Sequence, residues 1–237
     1  MMLQTRAAIG ILELDEGHEL GESLRAPRDH SLLNPATFDR PIVTEIVEGA
    51  FAETVIAGDP SLQDACIRAA RRLVERGAGV IVGDCGFLIR HQAAVSAAVN
   101  IPVAMSSLLL IPALLRQLAP AQKLAVITAN SVYCTEDMFG IEDPANRARV
   151  VVGGIECGEY VRNAVARPLV RTSIDTIERE VAECIAQLRA THPEIGMLLF
   201  ECTGLPVVAN ALRSSTQLPI YDITDLCKLT LGSVACN

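Results

Sequence analysis

The sequence predicts an α/β protein of two pseudo-symmetric lobes, each a mostly parallel sheet flanked by helices, with an active-site cleft between them. Three observations lead there. Half of the 237 residues are apolar but only 3% are aromatic. The core must therefore be built from Ala, Val, Ile and Leu, the composition of strands buried on both faces under helices. Strand-like runs alternate with amphipathic stretches, the signature of βαβ units. Finally, the chain repeats itself. Shifted by 117 residues, "RAAIGIL" (6–12) falls on "KLAVITA" (123–129), "GVIVGDCGFL" (79–88) on "GMLLFECTGL" (196–205), and "IPV" (101–103) on "LPI" (218–220). Chance explains one such match well. It explains three at one offset, with Cys85 on Cys202 and Pro102 on Pro219, much less well.

Taken in order, each half opens on a Val/Ile-rich strand, 8–12 and then 124–128. An amphipathic helix follows, 61–76 and then 174–190; in the first, Leu62, Ala65, Cys66, Ala69, Ala70, Leu73 and Val74 recur at helical spacing. A Gly-bounded strand comes next, 79–83 and then 196–200, and a cysteine ends it. A Pro-containing strand, 101–104 and then 218–223, closes each half. The stretch "LLNPATF" (32–38) reads as a loop between the first strand and the next helix. It is either a lid over the cleft or a structural loop packing Phe38.

Charge and composition exclude several functions. The net charge is −8 and no Lys/Arg run exists, so neither nucleic acid nor an anionic membrane is an expected partner. No secretory signal is visible, and no stretch reaches the roughly 18 apolar residues of a membrane span, which leads us to expect a cytoplasmic protein. The eight cysteines include no C-x-x-C pair and no accompanying His cluster, which disfavours a zinc site or a redox dithiol. Reduced thiols are expected, most of them serving as small buried hydrophobes. Cys66 and Cys184 fall in amphipathic helices and read as core, while Cys134, Cys157, Cys227 and Cys236 have no evident role.

Cys85 and Cys202 are different. Both stand at the carboxyl end of a predicted parallel strand, where ligands of open α/β sheets bind. Two such lobes facing each other would put the thiols on opposite walls of one cleft. One thiolate would remove a proton from one face of a carbon, and the other thiol would deliver one to the opposite face. Helical stretches follow both, "FLIRHQAAVSAAV" and "LPVVANALRSS", with Pro206 in the first turn of the second. A cysteine at a helix N-terminus has its pKa drawn from about 8.5 toward neutrality. Main-chain N–H groups near Gly86, Phe87, Thr203 and Gly204 would hold a small anionic substrate. Asp84 and Glu201 precede the cysteines, and strand alternation points them away from the thiols, toward neighbouring backbone or cations.

On these cysteines, on "ECTGLP" and on the opening "IGILELDEGHELGESLRAPRDHSLLNPATFDRP", the chain resembles the aspartate/glutamate racemase superfamily, whose relatives include hydantoin racemase, arylmalonate decarboxylase and maleate isomerase. The resemblance covers most of the chain. It implies two α/β lobes with the C-terminal segment returning to the first, here 1–104 with 221–237 and then 105–220. It also implies proton transfer by two cysteines without a cofactor and, in many members, a homodimer. The second family motif stands here as Cys202-Thr203; the first, usually Cys-Asn-Thr, stands as Cys85-Gly86-Phe87, with Phe87 suggesting a less polar substrate end. The family's Asp-Ser after the first strand aligns with Glu13-Leu14, and its Thr after the first strand of the second half with Thr128, followed by Asn130 and Ser131. Thr128 and Thr203 are candidate side-chain donors, and Asn130 and Asn34 candidate substrate-binding residues.

Racemisation or epimerisation α to a carboxylate or carbonyl is the expected activity, because both cysteines are present where decarboxylase-like relatives keep one. Two alternatives remain. "GDCGF" also resembles a nucleophile elbow with Cys in place of Ser, which would make a cysteine hydrolase with His91 as the base it would have to use, and the resemblance to arylmalonate decarboxylase keeps a decarboxylase of a small acid beside it. A non-catalytic binder of small acids would keep the cleft with inert thiols.

Overall fold

Strand β1 (Ala8–Glu13) lies at the centre of the first sheet, between β2 (Ile42–Ile46) and β3 (Ala78–Gly83), with β4 (Val103–Ala104) beyond β3. Every pairing is parallel. The computed structural model describes residues 7–17 and 27–234; His18, Cys236 and the 18–26 part of the opening stretch lie outside them. The chain divides into two compact units, one running to Ser106 and resuming at Thr224, the other Ser107–Ile223.

In the first unit β1 and β3 are buried on both faces, as their unbroken apolar runs require. Helix α1 (Ala52–Ala57) stops at Gly58, whose positive φ of 75° suits a residue without a side chain. Helix α2 (Gln63–Glu75) packs on the sheet through Ala65, Cys66, Ala69, Ala70 and Leu73. The approach is close enough that a methyl group on Gly10 would sit 3.2 Å from Leu73 Cβ and 2.8 Å from Ala78 Cβ. Helix α3 (Gln92–Ala98) precedes β4, and α9 (Ile223–Ser233) ends against the start of β3, where Val234 and Ala7 flank Gly79.

The sequence reading missed β2. Its residues are half-buried or exposed, so "PIVTEI" lacks the apolar run of a central strand. Glu45 ties this edge to α2, accepting from Arg72 Nε at 2.7 Å and from Arg76 at 2.7 Å. The loop 32–38 therefore joins β1 to β2, not a strand to a helix.

The second unit repeats the plan. Strands β5 (Lys123–Thr128), β6 (Val150–Gly154), β7 (Ile195–Phe200) and β8 (Ile220–Tyr221) pair in parallel in the order β6-β5-β7-β8. Around them lie α4 (Ile111–Gln117), α5 (Pro144–Arg147), α6 (Glu159–Ala164), α7 (Ile174–Thr191) and α8 (Pro206–Thr216). The core of this unit joins Ile127, Leu198 and Phe200 to Ile177, Val181 and Ile185 of α7 and Val208 and Leu212 of α8. Strand β6, like β2, escaped the sequence reading as a half-buried edge.

The duplication extends to individual hydrogen bonds. Ile81 N–H donates to the Pro102 carbonyl and Leu198 N–H to that of Pro219, both at 2.9 Å. The register of β1 on β3 shifts after Ala8, and that of β5 on β7 after Lys123. This pairing corrects one part of the sequence alignment. β3 and β4 match β7 and β8 at the offset of 117 (Ile81–Val103 against Leu198–Ile220), but Leu12, opposite Gly83, corresponds to Ile127, opposite Phe200, at an offset of 115. A two-residue slip preserves strand alternation, so the apolar pattern by itself could not detect it. Glu13 is thus the counterpart of Thr128.

Among the described residues no helix is long and apolar enough to cross a membrane, and no cluster of three or more His, Cys, Asp or Glu side chains could hold a metal ion.

Candidate active site

Cys85 and Cys202 stand two residues beyond the ends of β3 and β7, at the carboxyl edges of their sheets. The preceding residues are held alike: Asp84 N–H donates to the Leu12 carbonyl at 2.9 Å, and Glu201 N–H to that of Ile127 at 2.8 Å. Each cysteine then opens the same turn. Leu88 N–H reaches the Cys85 carbonyl at 3.0 Å, and Leu205 N–H that of Cys202 at 3.1 Å. Both thiols are half-buried, whereas Cys66, Cys134, Cys184 and Cys227 are buried. Burial pushes Cys66 and Cys184 up to about 11 and Cys227 to about 12, which leaves them as inert thiols in the core.

Beyond Cys85 the chain forms a 3-10 turn, Gly86–His91, before α3 begins, so this thiol does not open directly on an α-helix as the sequence suggested. The Phe87 ring is buried, 1% exposed, and is a core side chain. His91 is also buried. Burial and the Arg90 charge lower its pKa, and Asp59 opposes them. Glu13 ends β1 half-buried; burial raises its carboxyl despite a hydrogen bond from Thr44, and Glu16 adds to the rise.

Around Cys202 the second unit builds a polar site. Pro206 opens α8, as the sequence suggested. Thr203 is buried. Glu201 is fully buried, and its partner is not a cation but the Thr128 hydroxyl, which donates to Oε2 at 2.8 Å. Its Oε1 has no hydrogen-bond partner among the described residues. Burial pushes this carboxyl up to about 7, only partly offset by Thr128. A neutral Glu201 removes the like-charge repulsion that an ionised neighbour would impose on a Cys202 thiolate. The Thr128 hydroxyl also accepts from Asn130 N–H at 3.3 Å while donating to Glu201.

Asn130 Oδ1 accepts from Val132 N–H at 3.1 Å, which shapes the loop after β5. Ser131 donates to Glu156 at 2.6 Å across the edge of the sheet. Asn34 caps the 35–37 turn, accepting from Ala36 N–H at 3.0 Å, and its amide also donates to the Arg28 carbonyl at 3.1 Å.

One residue at this site was not foreseen. The Tyr160 hydroxyl lies 3.4 Å from Cys202 Sγ. Tyr160 sits at the start of α6, past the carboxyl end of β6. Because β6 was not recognised in the sequence, nothing marked this tyrosine as standing at the functional edge of the sheet.

No family model matches the chain. It is 29% identical over 248 residues to dimethylsulfoniopropionate lyase 3 of Emiliania huxleyi, matching all of this chain and 62% of that protein. It is 30% identical over 224 residues to the dimethylsulfoniopropionate lyase of Durusdinium sp. clade D, across 91% of this chain and 71% of that protein. The chain thus spans less than two thirds of the length of the Emiliania relative. Among solved structures, unliganded arylmalonate decarboxylase aligns with a TM-score of 0.55 at 16% identity, covering 98% of this chain and 95% of its own. Glutamate racemase from Francisella tularensis gives 0.56 at 17%, covering 98% and 81%. Aspartate racemase from Picrophilus torridus gives 0.57 at 13%, covering 95% and 92%. The chain shares the fold of these decarboxylase and racemase structures. It belongs to the family of the dimethylsulfoniopropionate lyases.

Proposed function

We propose that the chain is a lyase that removes a proton α to the carboxylate of a sulfoniopropionate, with Cys202 as the base and Cys85 as the second acid/base group. The observation that carries this reading is the pair of half-buried thiols at equivalent ends of two duplicated sheets, in a chain whose relatives are described as lyases. Dimethylsulfoniopropionate, as its name states, joins a dimethylsulfonium group to a propionate. When a thiolate takes the proton next to the carboxylate, the C–H electron pair becomes a carbon–carbon double bond. The carbon–sulfur bond breaks with its electrons on sulfur, and neutral dimethyl sulfide leaves acrylate behind. Atoms and charge balance, with the proton on Cys202, and no oxidant or second substrate enters. A racemase shares the first half of this step. It differs in returning a proton to the carbanion, so a good leaving group on the next carbon diverts one chemistry into the other.

Main-chain N–H groups at Gly86, Phe87, Thr203 and Gly204, with the Asn130 side chain, are the proposed holders of the carboxylate. The reading also requires both sulfurs to reach one substrate molecule. The test is release of dimethyl sulfide into the headspace, and of acrylate by proton NMR, from purified protein given dimethylsulfoniopropionate. Release is expected, with Cys202→Ser reducing it about 100-fold or more and Cys85→Ser also lowering it. In heavy water, α-deuterium incorporation into amino acids or hydantoins without any release would replace the lyase with a racemase. Neither release nor exchange would remove both and leave the small-acid binder.

A further inference from the structure

We propose that the Tyr160 hydroxyl is a catalytic partner of Cys202, donating its hydrogen to the sulfur whenever Cys202 is ionised, and that Glu180 is the positioning residue that holds Tyr160 there. The inference rests on the reading of Cys202 as an acid/base residue, and it adds two groups that no motif in the chain marks.

Three independent features aim the hydroxyl at the thiol. First, the phenolic oxygen lies 3.4 Å from Cys202 Sγ. A thiolate has no hydrogen, so in that state only the phenol can donate; hydrogen bonds to an ionised acceptor are about twice as strong as neutral ones. The bond therefore favours the ionised sulfur over the thiol. Second, the space the hydroxyl occupies exists because residue 204 is glycine. A Cβ built at Gly204 would overlap the Tyr160 hydroxyl. The same short motif that supplies the cysteine thus leaves room for its partner. Third, the helix carrying Tyr160 is fixed at its first turn. Glu180 of α7 accepts from Glu159 N–H at 2.7 Å and from Tyr160 N–H at 3.2 Å, and a Cβ at Gly158 would overlap the same carboxylate. A carboxylate at a helix N-terminus is favourably placed by the main-chain N–H groups and the dipole. At the other end of α6, Asn163 Nδ2 donates to the buried Thr172 hydroxyl at 2.9 Å. Glu180 touches main chain rather than sulfur, so its effect on Cys202 passes through Tyr160. Glu201, the carboxyl adjacent in sequence, is bound to Thr128.

The experiment measures carbamidomethylation of Cys202 by iodoacetamide across pH, peptide by peptide in a mass spectrometer, with Cys85 in the same digest as internal reference. In Tyr160→Phe, alkylation of Cys202 near neutral pH is expected to slow about 10-fold, the loss of one hydrogen bond to a charged group. At alkaline pH, where the thiol ionises unaided, the rate should return to that of the parent protein, and Cys85 should not change. Gly204→Ala, which displaces the hydroxyl by a different route, is expected to give the same slowing, and it serves as the second variant should Tyr160→Phe fold poorly. Glu180→Gln should move Cys202 in the same direction by less, with no effect on the alkaline plateau. An unchanged or faster neutral-pH rate in both Tyr160→Phe and Gly204→Ala overturns the proposal, whatever the protein's activity. Slowed alkylation together with full dimethyl sulfide release by Cys202→Ser would leave the Tyr160–Cys202 pair standing and remove Cys202 as the base of the lyase step instead.

Discussion

At the scale of single residues, Glu201 is the group whose environment has the clearest consequence. It sits fully buried with one oxygen on Thr128 and the other without a hydrogen bond among the described residues, and its carboxyl is raised from the ordinary 4.5 to about 7. In the unfolded chain the same group ionises near 4.3. Between those values the folded protein binds the extra proton, so stability falls as pH rises from about 4.5 to about 7 and is flat with respect to this group beyond. The whole effect is roughly 3 kcal/mol. Glu201→Gln, which cannot ionise, should remove that slope. Urea unfolding at pH 4.5 and at pH 7.5 checks it, since the parent should lose about 3 kcal/mol more than the variant across the interval. The sequence marks Cys202 and the acid that precedes it. It could not show that the acid would find a hydroxyl in place of a cation, because Thr128 lies on another strand, 73 positions away.

At the scale of elements, small residues set how closely helices approach the sheets. Gly153 of β6 lies under α7, where an added Cβ would come within 2.6 Å of Leu188 Cδ1 and 2.7 Å of Cys184 Sγ. Gly10 plays the matching part under α2 in the first unit. Gly153→Ala must push α7 outward along its 18 residues, and the expected cost is about 1–3 kcal/mol, read as a lower denaturation midpoint with an unchanged denaturant slope. Central strands and long helices were legible in the sequence because burial on both faces, or on one helical stripe, leaves a periodic apolar pattern. Edge strands β2 and β6 were not, because half-exposed residues carry a diluted pattern. Missing β6 hid Tyr160, although it is one of only three tyrosines in the chain.

At the scale of the whole molecule, the seven cysteines among the described residues sort by environment. A brief pulse of a membrane-impermeant maleimide on the native protein should label Cys85, Cys202 and the exposed Cys157, and should spare Cys66, Cys134, Cys184 and Cys227 until urea is added. Equal labelling of the buried set would mean that the cores are not closed as described. By itself the sequence determined the α/β class, the duplication, and the two thiols that end equivalent strands. These features are written locally, in apolar runs and in a motif repeated along one chain. Only the tertiary structure decided the two-residue slip of β1 against β5, the burial of Phe87 and His91, the capture of Thr128 by Glu201, and the seat of Tyr160 against Cys202. Each of these depends on which side chains meet after strands and helices distant in sequence have packed, and strand alternation or helical spacing carries no record of that partner.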